Sequence, residues 1–270
     1  MHDHRITTRL ARLGWLLICS VLGACTMQPP QRPAVGTFVE RAQTLGGLVY
    51  RYQVFVPSRK AGGRHPPVIL FLHGTGERGS DGDKPTRVGI GPYLRKHLAD
   101  FPAIVVFPQA PDGRDWNGLA ATLAFDEMEQ ASEAFGGDRN RTYLTGLSMG
   151  GYGVWELALA QPHRFAALVP ICGALLPPSD ERDLFVTPLA GEADPYATLA
   201  RRLRHLPIWI FHGARDDLVP PNDDRLTYAA LQAAGADAQY TELPDANHDA
   251  WDPAYASPAL WQWLFAQRRH

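Results

Sequence analysis

The chain has 270 residues, enough for one large domain or two small ones. It is 45% hydrophobic, 20% charged and 10% aromatic, with a formal net charge of −2. That balance excludes disorder, collagen-like repeats and coiled coil, and the scattered Lys and Arg give no electrostatic footprint for nucleic acid.

The chain starts with Arg5, Arg9 and Arg12 against one acid, Asp3, followed by an almost wholly apolar run from Leu13 to Ala24. A basic start and a short apolar run read as a secretory signal; a spanning helix needs about 20 apolar residues. The run closes on Leu22-Gly23-Ala24-Cys25, which resembles the lipobox of bacterial lipoproteins. The resemblance implies cleavage before Cys25, lipid on Cys25 and, with Thr26 rather than Asp next, an outer-membrane anchor facing the periplasm. Plain cleavage after Ala24 is the alternative. The expected organisation is a signal peptide at 1–24, a Pro- and Gln-rich tether at 25–36 and one folded domain at 37–270. Of three cysteines, Cys19 leaves with the signal and Cys25 takes the lipid. Cys172 then has no intrachain partner, and it reads as buried packing after the apolar run Leu168–Ile171.

Beyond the tether, Thr37–Thr44 and Leu48–Val56 flank Gly46-Gly47 and read as a hairpin. Val68–Leu72, Ile104–Phe107, Arg141–Thr145, Ala167–Ile171, Ile208–Phe211 and Gln239–Leu243 read as buried parallel strands. Helical stretches lie near 91–100, 119–135, 149–160 and 223–234. A last helix begins Ser257-Pro258, a cap followed by proline in the first turn, and is expected to end at Arg268 and Arg269. Alternating strands and helices predict an α/β fold: a mostly parallel eight-stranded sheet with helices on both faces. In such sheets chemistry gathers at the carboxyl ends of the strands.

The fifth strand is followed by Gly146-Leu147-Ser148-Met149-Gly150, a G-x-S-x-G run between a strand and a helix. A nucleophilic serine on a sharp turn needs small residues two before and two after it, and the helix start favours developing negative charge. A hydroxyl near neutral pH also needs a base. Asp216 follows the seventh strand and His248 the eighth, so the chain order is serine, acid, histidine. His248 would take the proton from Ser148, and Asp216 would hold its tautomer. Asp217 is the rival acid. His73 and His212, at strand ends beside glycine, read as core histidines.

An oxyanion needs donors, expected from the backbone N–H of Met149 and from the loop His73-Gly74-Thr75-Gly76, with Thr75 preferred over Gly74 or Gly76. Gly74 to Gly79 also spells G-x-G-x-x-G, but a loop rather than a helix follows, and the next strand ends without an acid, against a dinucleotide site. P-loop, His-Glu-x-x-His and Cys-x-x-Cys patterns are absent from the sequence, so no metal or cofactor is expected.

Together, Leu72 to Gly79, Tyr143 to Tyr152, Phe211 to Pro220 and Asn247 to Asp252 resemble the oxyanion, nucleophile, acid and histidine loops of bacterial α/β-hydrolases. The resemblance runs from about residue 45 to 266. It is strongest to the phospholipase/carboxylesterase and dienelactone hydrolase-like set, also labelled predicted peptidase or prolyl oligopeptidase-like, which borders feruloyl and polyhydroxybutyrate esterases. In that set the acid lies four residues after the histidine of the His-Gly motif, which implies Asp216. The implied activity is hydrolysis of carboxylic esters through an acyl-serine. A peptidase with the same triad, or an envelope lipoprotein that keeps the fold only for binding, are the other readings.

Cys172 to Pro207 is too short for a large lid, so an open cleft for short acyl groups or polymer-borne esters is expected. Trp116, Tyr152 and Trp251 are candidate stacking residues for the substrate, with packing as the alternative for each.

Overall fold

The computed structural model describes residues 33–179 and 182–269. The signal, its cleavage site and Cys25 lie outside the described residues. Among the described residues no helix is long and apolar enough to cross a membrane.

Two nine-residue runs pair antiparallel as β1 (Thr37–Leu45) and β2 (Leu48–Val56), with Leu45 opposite Leu48. The two residues between them, Gly46 and Gly47, have φ of 59° and 80°. A two-residue hairpin turn requires this conformation, and glycine adopts it without steric cost. Six further strands follow: β3 (Val68–Leu72), β4 (Ile104–Phe107), β5 (Thr142–Leu147), β6 (Ala167–Ile171), β7 (Ile208–Gly213) and β8 (Ala238–Leu243). The sheet order is β1-β2-β4-β3-β5-β6-β7-β8. Only the β1–β2 and β2–β4 pairings are antiparallel. Strands β3 to β6 are buried along their whole length; β3, β4 and β6 are apolar runs, and β5 buries Thr142 and Thr145 among its apolar residues. β8, expected as a buried strand, is instead half-exposed beyond Ala238, because it lies at the sheet edge.

Successive side chains of a strand point to opposite faces, and the core divides accordingly. Val68, Leu70 and Leu72 face α3 (Gly118–Phe135), α4 (Met149–Ala160), α5 (Pro195–Leu203) and α6 (Asn222–Ala233). Ile69 and Phe71 face α2 (Ile90–Lys96), α7 (Trp251–Ala256) and α8 (Pro258–Ala266). One short helix, α1 (Arg59–Gly62), is capped by Ser58, whose Oγ accepts the Ala61 N–H at 3.1 Å. This is the expected α/β-hydrolase architecture of a mostly parallel sheet covered on both faces.

The structure corrects some boundaries. α2 stops at Lys96, short of the expected residue 100, and the chain closes in a turn in which the Phe101 N–H donates to His97 O at 3.0 Å. α8 stops at Ala266 rather than at Arg268 and Arg269. Gln267 O accepts from the Tyr143 hydroxyl, and the Arg269 N–H donates to Asn140 O, so the segment is drawn along the body of the domain instead of continuing the helix. Among the described residues between β6 and β7, the regular elements are a 3₁₀ turn at Thr187–Leu189 and α5. Asp223 accepts the N–H groups of Leu175 and Leu176 and the Tyr196 hydroxyl, and Tyr152 donates its hydroxyl to Leu176 O, so the loop after β6 is pinned down.

The chain enters the sheet at the end opposite the functional loops. Thr37 pairs with Val56 at the finish of β2, and β2 runs against β4 with Phe55 opposite Val105. Residues just before β1 are already bonded to the domain, since the Gly36 N–H donates to Leu98 O at 2.7 Å.

The turn after β5 tolerates no added atoms. A Cβ on Gly150 would lie 2.0 Å from Leu72 O, whereas one on Gly76 would meet nothing within 4 Å. Gly150→Ala is therefore expected to lower the unfolding free energy by about 1–3 kcal/mol. Gly76→Ala should leave it nearly unchanged, with urea denaturation as the measurement.

Candidate active site

Strand β5 ends in Leu147, α4 begins at Met149, and Ser148 between them is forced to φ 54° and ψ −122°. A non-glycine residue with positive φ is strained unless its surroundings fix it. Here the Ser148 N–H donates to Ile171 O at 2.9 Å, and Ser148 O accepts from Gly151 and Tyr152. Gly146 and Gly150 approach so closely that a Cβ on Gly146 would lie 2.3 Å from Gly150 O. The turn holds the Ser148 hydroxyl up at the carboxyl end of the sheet, half-buried.

The structure brings Ser148, His248 and Asp216 together. His248 Nε2 lies 2.8 Å from Ser148 Oγ, and His248 Nδ1 lies 2.7 Å from Asp216 Oδ2. With the carboxylate ionised, Nδ1 carries the proton and Nε2 is free to accept one from the hydroxyl. The acid and base loops are laced to each other. The Arg215 N–H donates to Ala246 O at 3.0 Å, and a Cβ on Gly213 would lie 2.0 Å from Asn247 O. Asn247 Oδ1 accepts the N–H groups of both Asp217 and His248. The rival acid Asp217 is exposed and contributes only that backbone N–H.

Asp216 is 5% exposed and fully engaged. Its Oδ1 accepts the N–H groups of Leu218 and Val219 at 3.0 and 2.9 Å. Burial alone would raise its pKa, but hydrogen bonds from His212, His248 and the Val219 N–H outweigh burial and hold the carboxyl well below the usual carboxylate range.

Thr75 and Met149 each open a helical turn, so neither N–H has a partner within its own turn. The two segments lie close: a Cβ on Gly74 would sit 3.5 Å from Ser148 Cβ. The glycine run from Gly74 carries a 3₁₀ turn at Thr75–Glu77, and the Gln109 side chain fills the loop behind it. Gln109 donates to Glu77 O and accepts the Gly82 N–H.

The expected stacking residues separate. Trp116 is buried, with its Nε1–H donating to His73 O and its ring edge-on to His73. Tyr152 is buried as well. Both line a recess of only about 10 Å³ shared with Met149, Glu156, Leu184 and Phe185, room for about one water and not for a stacked ring. Trp251 is half-buried and lies 5.5 Å from the His248 ring, nearly perpendicular to it. Arg78, absent from the sequence reading, pairs with Asp115 beside that recess and touches Met149 Sδ.

His212, named in the sequence without a role, is buried and stands between two carboxylates, Asp224 and Asp216. A histidine ending an apolar strand must find partners for both ring nitrogens, and the acid four residues later was the available signal. Cys172 is buried with φ 49°, and burial pushes its thiol pKa up, so it is inert packing beneath the acid. Cys172, His212 and Asp216 form a compact donor cluster, but their hydrogen bonds to one another and to backbone already account for them.

A carboxyl whose folded pKa is depressed contributes stability that is present above its unfolded pKa, near 3.8, and lost as pH falls below that value. The unfolding free energy of the protein is therefore expected to drop more steeply between pH 4 and about pH 2 than that of Asp216→Asn, as read by denaturant titration at each pH.

Comparison with known proteins bears on the family and the fold. The model of the Esterase family matches residues 47–267. The poly(3-hydroxyoctanoate) depolymerase of Pseudomonas fluorescens is 30% identical over 217 residues, covering 73% of this chain and 73% of that protein. An uncharacterized secreted protein of Arthroderma benhamiae is 24% identical over 207 residues, 67% of this chain; the chain spans only 21% of that protein's length. A crystal structure of a thermostable esterase superposes with a TM-score of 0.68 at 27% identity, over 86% of this chain and 63% of the esterase. The chain belongs to the Esterase family and has the α/β-hydrolase fold.

Proposed function

We propose that the protein hydrolyses carboxylic esters through an acyl-serine intermediate, with Ser148 as nucleophile, His248 as general base and acid, and Asp216 as the orienting carboxylate. The observation that carries this reading is the hydrogen-bonded relay from Asp216 through His248 to Ser148 on a strained turn. Family membership supports the same chemistry.

On this reading Ser148 Oγ attacks the ester carbonyl carbon while His248 Nε2 takes the hydroxyl proton. The negative charge on the tetrahedral oxygen falls at the start of α4, where the N–H groups of Met149 and Thr75 serve as donors, and no reorganisation is needed at the moment of reaction. His248 then returns the proton to the departing alkoxide, which leaves as the alcohol. A water molecule, deprotonated by His248, attacks the acyl-serine carbonyl; the acyl–oxygen bond breaks, His248 returns the proton to Ser148 Oγ, and the carboxylic acid is released.

The reading extends to short-chain or polymer-borne esters. The link between β6 and β7 carries no lid domain among its described residues. Exposed Leu176 and Leu218 lie on the loops after β6 and β7, with Trp251 beside His248, so the rim is apolar. A relative is named as a depolymerase of a polyester.

The proposed setting is the bacterial envelope, with residues 1–24 as signal, lipid on Cys25 and residues 37–270 as the exported domain. One relative is a secreted protein. Because the chain enters the sheet at the end opposite Ser148, an anchor on Cys25 would turn the active site away from the membrane, toward soluble or polymeric envelope substrates.

Purified protein is expected to turn over p-nitrophenyl acetate and butyrate faster than the octanoate. Ser148→Ala should abolish turnover, Asp216→Asn should lower kcat by about 10³- to 10⁴-fold, and Asp217→Asn should be near normal. Turnover of a peptide p-nitroanilide alone would assign a peptidase, and no turnover by a folded protein would favour the binding reading. Cys25→Ser should move the protein from the membrane fraction to the soluble fraction of the expressing bacterium; retention on membranes would remove the anchor.

A further inference from the structure

Directly beneath the proposed acid, β7 places a second imidazole. His212 is fully buried. Its Nε2 lies 2.8 Å from Val219 O, a group that can only accept, so Nε2 carries a proton. The same nitrogen is 3.4 Å from Asp216 Oδ2. Its Nδ1 is 2.7 Å from Asp224 Oδ2, and Asp224, on the first turn of α6, is fully buried as well. A neutral imidazole would leave Asp224 desolvated and without a compensating charge, beside a second buried carboxylate, Asp216. An imidazolium donates its Nδ1–H to Asp224 and sets its positive charge 3.4 Å from Asp216 Oδ2.

We propose that His212, held as a cation by Asp224, is a positioning residue that fixes the Asp216 carboxylate against His248. The proposal rests on the reading of Ser148, His248 and Asp216 as the catalytic relay. His212 touches neither Ser148 nor the substrate position, and it acts through Asp216. The Val219 backbone ties the arrangement together, because its carbonyl accepts from His212 while its N–H donates to Asp216.

The surrounding charges fit. Burial alone would lower the His212 pKa, but the hydrogen bonds to Asp216 and Asp224 outweigh it and push it up to about 10. Burial raises Asp224 to about 6, and the hydrogen bond and charge of His212 hold it below what burial alone would give. The other groups around it do not displace this balance. Asp223 on α6 is spent on Leu175, Leu176 and Tyr196, and Glu242 on β8 is paired with Arg225 and Tyr240. Cys172, at the end of β6, stays a thiol. His73, the other buried strand-end histidine, shows the opposite outcome: no carboxylate bonds it, and burial lowers it to about 4.

The test has two arms on the full-length protein. The first reads the ring nitrogens of His212 by ¹⁵N NMR at pH 8, assigned with His212→Gln. Both nitrogens are expected to be protonated in the wild type and only one in Asp224→Asn; a neutral His212 in the wild type overturns the proposal whether or not Ser148 is the nucleophile. The second measures kcat and KM on p-nitrophenyl acetate from pH 5 to 9. A glutamine at 212 keeps an amide N–H for Val219 O but loses the charge. His212→Gln is expected to lower kcat about 10- to 100-fold at nearly constant KM. It should also move the acid limb of kcat/KM up by about one pH unit, because a positive charge near the base is gone. A folded His212→Gln with wild-type kcat and an unmoved acid limb overturns the proposal. Should that variant not fold, Asp224→Asn carries the same kinetic expectations and the same refutation. Absence of wild-type ester turnover would refute the underlying triad reading instead, and the NMR arm would still decide the charge of His212.

Discussion

The positive φ of Ser148 is the constraint on which the rest of the site depends. β5 must stop, reverse direction and open α4 within one residue, and only a backbone at φ 54° does this while leaving the side chain upright. That conformation is unfavourable for a residue with a Cβ, so the neighbourhood has to enforce it. It does so by removing atoms. Gly146 and Gly150 let the helix start press against β3 and β5, and Gly151 packs on the backbone of Gly173. The same turn aligns the open end of α4 beneath the hydroxyl. On the proposed reading, strain at one residue thus yields a half-buried nucleophile and a local field suited to an oxyanion.

The second organising element is a line of alternating charge and hydrogen-bond capacity running inward from the surface: Ser148, His248, Asp216, His212, Asp224. Each contact along the line offsets part of the cost of burying polar groups, while Asp224 Oδ1 is left without a hydrogen-bond partner. The outer part comes from three strand-end loops, and the inner part from the first turn of α6 packing across the end of β7. The two strand-end histidines, His73 and His212, show that burial does not by itself decide a protonation state. The partners do, and carboxylates on one side hold a cation where carbonyl and amide partners leave a neutral ring.

Much of this was legible in the sequence because the relevant signals are local. Apolar runs of four to six residues located the strands, Gly46-Gly47 located the hairpin, and Gly146 to Gly150 located the turn around Ser148. Asp216 and His248 could be named because each follows a strand whose carboxyl end must face the same edge of the sheet. The choice of Asp216 over Asp217 came from the resemblance of the acid loop, and in the structure it is Asp216 that meets His248. What escaped is set by packing between distant segments. Asp224 meets His212 only because α6 folds back over β7, and Arg78 meets Asp115 across 37 residues. Trp116 is buried because Gly153 leaves room for its ring. α8 ends early because Tyr143 and Asn140 capture the chain beyond it.

The central claim is that Ser148 is a nucleophile activated by His248, and covalent trapping tests it most directly. The full-length protein would be mixed with a p-nitrophenyl alkylphosphonate and followed by both nitrophenolate release and intact mass. The account predicts one equivalent of nitrophenolate, a single phosphonyl adduct mapped by peptide sequencing to Ser148, and no adduct in a folded His248→Gln variant on the same timescale. An adduct on another residue, or a folded wild type that remains unmodified, would contradict it.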